Sequence, residues 1–231
     1  MKKIFLGIAS TILFFSCNNG NNKSTIQNDK EVQKLKAIEQ SRIDSLEQVR
    51  VDSLALIAWG DANFGMSLKE TKKSKIFKNA FISGDKNDAY QSLILFSDET
   101  NIEGMSSIAA AFFKDKLFRV DLESNEKNAN YYDTDIKETV LRLKGLIENK
   151  YGKPTVEHGF PGFFEMKPDK GITAYSWQIG DKYISIDVKE VYSGSEYKVE
   201  CCIFHSKEAE PAREYNRKIK EEKESKKVNG F

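Results

Sequence analysis

The length and charge of the chain exclude several classes of protein. It has 231 residues with 36 basic and 35 acidic side chains, which gives a formal net charge of +1 at pH 7. This balance lacks the basic excess that attracts nucleic acid, so we expect no nucleic-acid partner. Three cysteines are too few for a disulfide framework, and a hydrophobic core must therefore hold the fold.

The first sixteen residues have the three zones of an export signal. Lys2 and Lys3 give a basic start, residues 4–15 form an uncharged apolar run, and Ser16 is a small residue before Cys17. The apolar run is shorter than the ~20 residues that a membrane-spanning helix needs. We therefore predict a signal peptide over residues 1–16 rather than a transmembrane helix.

The sequence Phe14-Phe15-Ser16-Cys17 resembles the lipobox of bacterial lipoproteins, with Phe14 where the family usually has Leu. The resemblance implies that Cys17 receives diacylglycerol and that acyl chains, palmitate among them, anchor the mature protein on a membrane. Asn18 rather than Asp follows the cysteine, which in the family's sorting scheme implies the outer membrane. We expect a lipid-anchored envelope protein that faces the periplasm; the alternative is an ordinary secretory peptide with a chance cysteine.

Two segments connect Cys17 to the rest of the chain. Residues 17–30 are polar and rich in side chains that favour turns, which predicts a flexible tether. Residues 31–58 lack glycine and proline, and their apolar side chains recur at helical spacing, at Leu35, Ile38, Leu46, Val49 and Leu56. We predict a solvated helical stalk over 31–58. The alternative is a coiled-coil stem that forms oligomers, although Arg42 and Ser53 interrupt its apolar stripe.

Helix and strand signals after Trp59 predict one α+β domain over residues 59–206. Ser67 and Glu70 fit a capping box at the start of a first helix. A second helix has the buried stripe Ile136, Val140, Leu143 and Ile147 and stops at Gly152 and Pro154. Strands are predicted at 90–97, 107–113, 116–123, 174–179, 182–191 and 196–204.

The order of these elements predicts the architecture of the domain. Sequential hairpins form an antiparallel sheet, and amphipathic helices cover one face of it. A helix followed by strands occurs twice, which fits two α-β-β-β repeats. The charged residues 207–231 predict an exposed C-terminal helix or a frayed tail.

Three short motifs of the domain resemble small envelope lipoproteins built from helix-and-sheet repeats. They are Phe64-Gly65-Met66-Ser67, Tyr151-Gly152-Lys153-Pro154, and Trp177 on a later strand. Members of the barrel-assembly lipoprotein class and β-lactamase-inhibitor-like repeat domains share the short Gly-Met-Ser start. The resemblance implies an envelope protein of repeated helix-and-sheet units, and it assigns no functional residue.

Residues that catalysis and metal binding need are sparse in this chain. Its two histidines, His158 and His205, accompany no Gly-x-Ser-x-Gly, His-Glu-x-x-His or paired Cys-x-x-Cys motif. Cys201 and His205 would lie on one side of a strand, but two ligands do not make a zinc site. The acidic residues of 98–103 lack the spacing of an EF-hand. We therefore predict no catalytic residue, no metal site and no cofactor.

Two groups of residues are candidate contact sites. The loop after the second helix carries Phe160, Phe163, Phe164 and Met166, which would contact a partner if exposed or would otherwise fold back as a lid over the sheet. Tyr175, Trp177 and Tyr183 lie on two later strands and could form a ligand-binding face of the sheet.

These features predict a membrane-anchored lipoprotein whose α+β module binds another envelope component without catalysis. A stalk would position such a module at a distance from the membrane, which is useful for binding. One alternative is an enzyme or small-ligand receptor that uses the open face of the sheet. The other is a structural protein that oligomerises through residues 31–58.

Overall fold

A computed structural model describes residues 22–85, 88–96, 100, 102–168, 170–191 and 195–228. They belong to two compact units, divided between Leu46 and Glu47. The predicted signal peptide and Cys17 lie outside the described residues, so lipidation stays a prediction. None of the described helices combines the length and the apolar character that crossing a bilayer requires.

Helix α1 spans Asn22–Leu56. It begins inside the segment predicted as a tether, so that prediction is wrong from Asn22 onward. No glycine or proline follows Gly20 in this stretch, and the turn preference of its Asn and Ser residues is weak enough for a long helix to override. The helix ends before residue 58, because Ile57–Trp59 form a strand. In the unit that ends at Leu46, the apolar side chains of the predicted stripe are exposed.

The second unit contains eleven strands and three further helices among its described residues. Its strands are β1 (Ile57–Trp59), β2 (Ala62–Asn63), β3 (Phe81–Ser83), β4 (Tyr90–Phe96), β5 (Met105–Phe113), β6 (Lys116–Ser124), β7 (Lys127–Asn128), β8 (Val156–Glu157), β9 (Gly171–Ile179), β10 (Lys182–Val191) and β11 (Glu196–His205). Its helices are α2 (Leu68–Thr71), α3 (Lys137–Tyr151) and α4 (Ser206–Val228). Ser67 caps α2 with the predicted capping box.

The sheet confirms the predicted α+β class. Its strands follow the order β3-β4-β5-β6-β11-β10-β9-β8, and every adjacent pair is antiparallel, while β7 pairs with β11. Helix α2 is followed by the meander β3-β4-β5-β6, and helix α3 is followed by the meander β8-β9-β10-β11. Apart from the two-residue β7 between them, the observed order is therefore α-β-β-β-β twice. The extra strand of each half, β3 or β8, has only two or three residues, too few to show a pattern in the sequence.

One face of the sheet packs against α3 and forms the core. A single register row across six strands is buried on this face, in the order Leu93, Ala110, Val120, Ile203, Ile184 and Trp177. Helix α3 adds Val140, Leu143 and Ile147, as its apolar stripe predicts. The indole Nε1 of Trp177 donates to the carbonyl of Gly152 at 2.9 Å, which fixes the end of α3 over β9. We call this side of the sheet the α3 face.

Helix α4 packs against one end of the opposite face. The hydroxyl of Tyr90 donates to the carbonyl of Ala212 at 2.9 Å, and the guanidinium of Arg213 lies over the ring of Phe204 at 5.0 Å. Ala209 and Ala212 are buried in this contact. The tail predicted as an exposed helix or a frayed end is therefore a helix whose first turns pack against the sheet. The sequence did not predict this contact, because Ala209 and Ala212 are small and form only a weak apolar pattern.

Candidate functional site

The aromatic loop after β8 folds back over the domain. Phe160 and Phe163 are half-buried, with ring centroids 4.9 and 5.3 Å from that of Tyr132, and Met166 is only 8% exposed. Phe164 is 98% exposed. Of the four residues predicted to contact a partner, three therefore pack at least partly against the domain, and Phe164 alone is fully available.

The three aromatic residues predicted on one open face do not share a face. Tyr175 and Trp177 are buried on the α3 face, and the ammonium of Lys144 lies over the Tyr175 ring at 4.9 Å. Tyr183 pairs with Gln178 in the β9–β10 register, so its side chain points to the opposite face. The prediction is wrong because the register of this hairpin pairs Trp177 with Ile184 rather than with Tyr183.

Polar side chains cluster on the sheet face opposite α3, in the part formed by β6, β11, β10 and β9. We call this surface the polar face. Asp121 and Cys202 are direct neighbours across β6 and β11. On the next two strands, Asp187 accepts hydrogen bonds from the hydroxyls of Ser185, at 2.8 Å, and of Thr173. One carboxylate is thus held by two hydroxyl donors near the middle of the sheet.

Ion pairs surround this cluster and neutralise most of its charge. The Nε of Arg119 lies 2.7 Å from Asp121. The ammonium of Lys198 lies 3.3 Å from Glu123 and 2.9 Å from Glu200, and Lys189 also pairs with Glu200. These side chains come from three adjacent strands, so the network fixes them on a rigid support.

Burial changes the ionisation of two groups on the polar face. It raises the pKa of Asp121 above its ordinary value, and Arg119 opposes that rise. It also raises the pKa of the Cys202 thiol to about 12. A thiol with that pKa is protonated near neutral pH, and the thiolate is the nucleophilic form. Cys202 is therefore suited to packing and weak hydrogen bonding rather than to nucleophilic chemistry.

The two histidines stand apart from Cys202. His205 is buried on the α3 face, with its ring 5.5 Å from that of Phe64, whereas Cys202 points to the other face. The Nδ1 of His205 has no hydrogen-bond partner among the described residues, and burial lowers the pKa of this histidine. His158 is exposed and lines a cavity of about 520 Å³ together with Glu165 and Thr173. Strand alternation thus separates Cys202 from the histidine nearest to it in sequence.

Exposed apolar side chains border the polar face at the β3 edge. The rings of Phe81 and Phe96 stack with centroids 5.3 Å apart, and the two residues are 43% and 59% exposed. Phe81 pairs with Ile94 across β3 and β4, and Ile94 continues the register row through Ala109 to Asp121. The sequence did not predict this border, because Phe81 lies on a three-residue strand that is too short to show a strand pattern.

Metal ligands do not converge in the part of the chain that the structure describes. No group of three or more His, Cys, Asp or Glu side chains there could hold a metal ion. The chain matches no protein-family model, no curated protein and no solved structure.

Proposed function

We propose that this chain is a lipid-anchored lipoprotein of the outer membrane, facing the periplasm, whose folded unit binds another envelope protein through the polar face. The observation that carries the proposal is the apolar border beside the polar face. Phe81 and Phe96 expose aromatic surface on the same side of the sheet as the ion-paired side chains of the polar face, with β5 between them. Aromatic anchors beside satisfied polar groups are the composition of a protein interface.

The side chains of the polar face are already held in place, and this supports binding. Side chains that are fixed in the free protein lose little conformational entropy when a partner binds. Glu200 is held between Lys189 and Lys198, and Asp187 is held by Ser185 and Thr173. Association otherwise costs ~0.5–1.5 kcal/mol for each long side chain that becomes immobilised. The small side chain of Ala109, between the border and Asp121, leaves room for a partner to approach the sheet.

The chemistry of Cys202 supports binding over catalysis. Its high pKa keeps the thiol protonated, and His205 lies on the other side of the sheet. A catalytic nucleophile needs an adjacent base or a lowered pKa. Burial raises the pKa of this thiol, and the neighbouring Asp121 carboxylate raises it further, so the thiolate is disfavoured.

A small-ligand receptor or enzyme is the second candidate, favoured by the cavity of about 520 Å³ lined by His158, Glu165 and Thr173. Thr173 connects this cavity to Asp187 of the polar face. Turnover or binding on a panel of envelope substrates that is lost with His158→Ala would favour this candidate. Activity that survives this substitution would count against it.

Oligomerisation through residues 31–58 is the third candidate. Leu35 and Ile38 are 62% and 57% exposed, as an unpaired helical stripe would be. Sedimentation of the full chain and of a Leu35→Gln, Ile38→Gln variant separates the alternatives. A drop to monomer in the variant would support a coiled-coil stem, and equal masses would exclude it.

The anchoring part of the proposal depends on Cys17. We expect wild-type protein to sediment with envelope membranes and to carry acyl groups by mass spectrometry. A Cys17→Ser variant should lose the acyl groups and the cleavage that accompanies them. Acylation that persists in the variant would contradict the proposed anchor.

The binding part is tested by an arginine placed on the polar face. Ala109→Arg adds a long charged side chain between the apolar border and Asp121, whereas Leu141→Arg adds the same side chain to an exposed position on α3. Envelope proteins that co-purify with the wild type should be lost with Ala109→Arg and retained with Leu141→Arg. Equal co-purification by the two variants, with unchanged thermal unfolding, would refute binding at this face.

A further inference from the structure

A second cavity opens on the α3 side of the sheet. Its volume is about 320 Å³, and it lies between α3 and the β1–β2 hairpin. The side chains that line it are mostly apolar, and they include Trp59, Ile76, Ile102, Leu146, Ile147 and Tyr151. Pockets for small molecules are typically apolar with a few placed polar groups, and this volume is at the lower end of their range.

Leu146 is an apolar residue outside the buried stripe of α3. The stripe consists of Val140, Leu143 and Ile147, all nearly inaccessible, whereas Leu146 is 46% exposed. Its side chain forms part of the cavity wall. Leu146 therefore lies outside the buried core, and its exposed apolar surface is available to a ligand.

Lys150 supplies positive charge at the same cavity. It forms none of the ion pairs found among the described residues, whereas Lys144 on the same helix pairs with Glu148 and Glu157. The ammonium of Lys150 lies 5.3 Å from the centroid of the Tyr151 ring. Burial lowers the pKa of Lys150, and no carboxylate among the described residues offsets that effect.

A second ammonium group approaches the same tyrosine. The Nζ of Lys182 lies 3.9 Å from the centroid of the Tyr151 ring. Repulsion from Lys150 adds to burial in lowering the pKa of Lys182. Two lysine amines therefore lie near the Tyr151 ring, and an anion placed beside Lys150 would offset the repulsion between their charged forms.

We propose that this cavity binds a fatty acid, with the carboxylate paired to Lys150 and the acyl chain against Trp59, Ile76 and Leu146. An apolar wall beside Lys150, a lysine without an ion pair among the described residues, is complementary to a single-headed anionic amphiphile. A volume of about 320 Å³, at the lower end of the range for small-molecule pockets, suits an acyl chain of medium length. The site lies on the α3 side of the sheet, away from the polar face, and goes beyond the proposed function.

Photolabelling of the full chain in phospholipid nanodiscs tests the proposal, with a diazirine-bearing dodecanoate as the probe. Mass spectrometry of the digested protein locates the label. We expect labelled residues within 59–76 and 146–151, and we expect excess dodecanoate to remove the label. Labelling spread over the surface of the unit, without competition, would overturn the proposal.

A matched pair of leucine variants tests the position of the chain. Leu146 and Leu141 are 46% and 47% exposed on the same helix, but only Leu146 lines the cavity. Leu146→Trp should fill the cavity and remove the label, and Leu141→Trp should keep it. Leu146→Gln, which adds no bulk, should weaken labelling if Leu146→Trp fails to fold. Equal labelling of the Leu146 and Leu141 variants would contradict the site.

The role of the carboxylate is tested with the corresponding diazirine-bearing dodecanol. Wild-type protein should be labelled more by the acid than by the alcohol, and Lys150→Met should remove that preference. Lys137→Met, a substitution at the other end of α3, should retain it. Equal labelling of the wild type by acid and alcohol would overturn the assignment of a fatty acid.

Discussion

The ammonium of Lys182 donates hydrogen bonds to the carbonyl oxygens of Leu54, at 2.5 Å, and Ile57, at 3.0 Å. The last carbonyls of a helix have no partner within the helix, and the last turn of α1 contains no basic residue. Lys182 lies on β10 and is completely inaccessible to solvent. A side chain from the sheet therefore satisfies the end of α1 and fixes its last turn to the domain.

This contact predicts that the unfolding free energy rises with pH above neutrality. Burial lowers the pKa of Lys182 from 10.5 to about 7, so between these pH values the folded state binds fewer protons than the unfolded state. Stability then increases with pH, by at most ~1.4 kcal/mol per unit. Urea denaturation of wild type and Lys182→Met at pH 7, 8 and 9 measures the effect. The stability of wild type relative to the variant should rise across the series, and a constant or falling difference would contradict the burial of this charge.

The aromatic loop predicts a contrast between two neighbouring phenylalanines. Phe163 packs against Tyr132 and Tyr197, whereas Phe164 is 98% exposed. Phe163→Ala should lower the unfolding free energy by ~1–3 kcal/mol, which is less than for a fully buried ring, and Phe164→Ala should change it by less than ~0.5 kcal/mol. Chemical denaturation measures both changes. A similar cost for the two variants would show that the loop is not folded back as described.

Because the indole of Trp177 donates to the carbonyl of Gly152, removing this donor should lower the free energy of unfolding. Trp177→Phe keeps an aromatic ring but leaves the carbonyl at the end of α3 without the indole N–H, and it should destabilise the domain by at least ~1 kcal/mol. Trp59→Phe, at a partly exposed position, serves as the control and should cost less. Equal costs would argue against a specific role for the Trp177 donor.

The two cysteines of β11 are predicted to be unreactive in the folded protein. Cys201 is buried on the α3 face, and burial raises the pKa of the Cys202 thiol to about 12. In a Cys17→Ser background, a thiol reagent at pH 8 should label neither residue until denaturant is added. Mass spectrometry before and after unfolding gives the comparison. Rapid labelling of Cys202 in the native protein would contradict this prediction and would favour thiol chemistry on the polar face.

Local patterns in the sequence predicted local elements well. The strand over 182–191 has the predicted bounds. The two residues left between the predicted strands 107–113 and 116–123, Lys114 and Asp115, form the turn, with φ angles of 48° and 62°. The stripe of Val140, Leu143 and Ile147 is buried as its spacing predicts. Each of these features depends on residues close together in the chain.

Features that depend on long-range pairing were not predictable in the same way. The polar face exists because β6 pairs with β11, which places Asp121 beside Cys202 from a distant part of the sequence. The opposite orientations of Trp177 and Tyr183 follow from the register of one hairpin, which alternation within each strand does not determine. The candidate site therefore appears only when the strands are assembled.

The most direct measurement of the central claim is site-specific photocrosslinking in intact envelopes. A benzoylphenylalanine replaces either Phe96, on the apolar border of the polar face, or Leu141, on the exposed side of α3. Binding through the polar face predicts one discrete crosslinked envelope protein from position 96, its loss when Ala109→Arg is added, and none from position 141. Crosslinks of equal pattern from both positions, or a band at 96 that survives Ala109→Arg, would contradict the account.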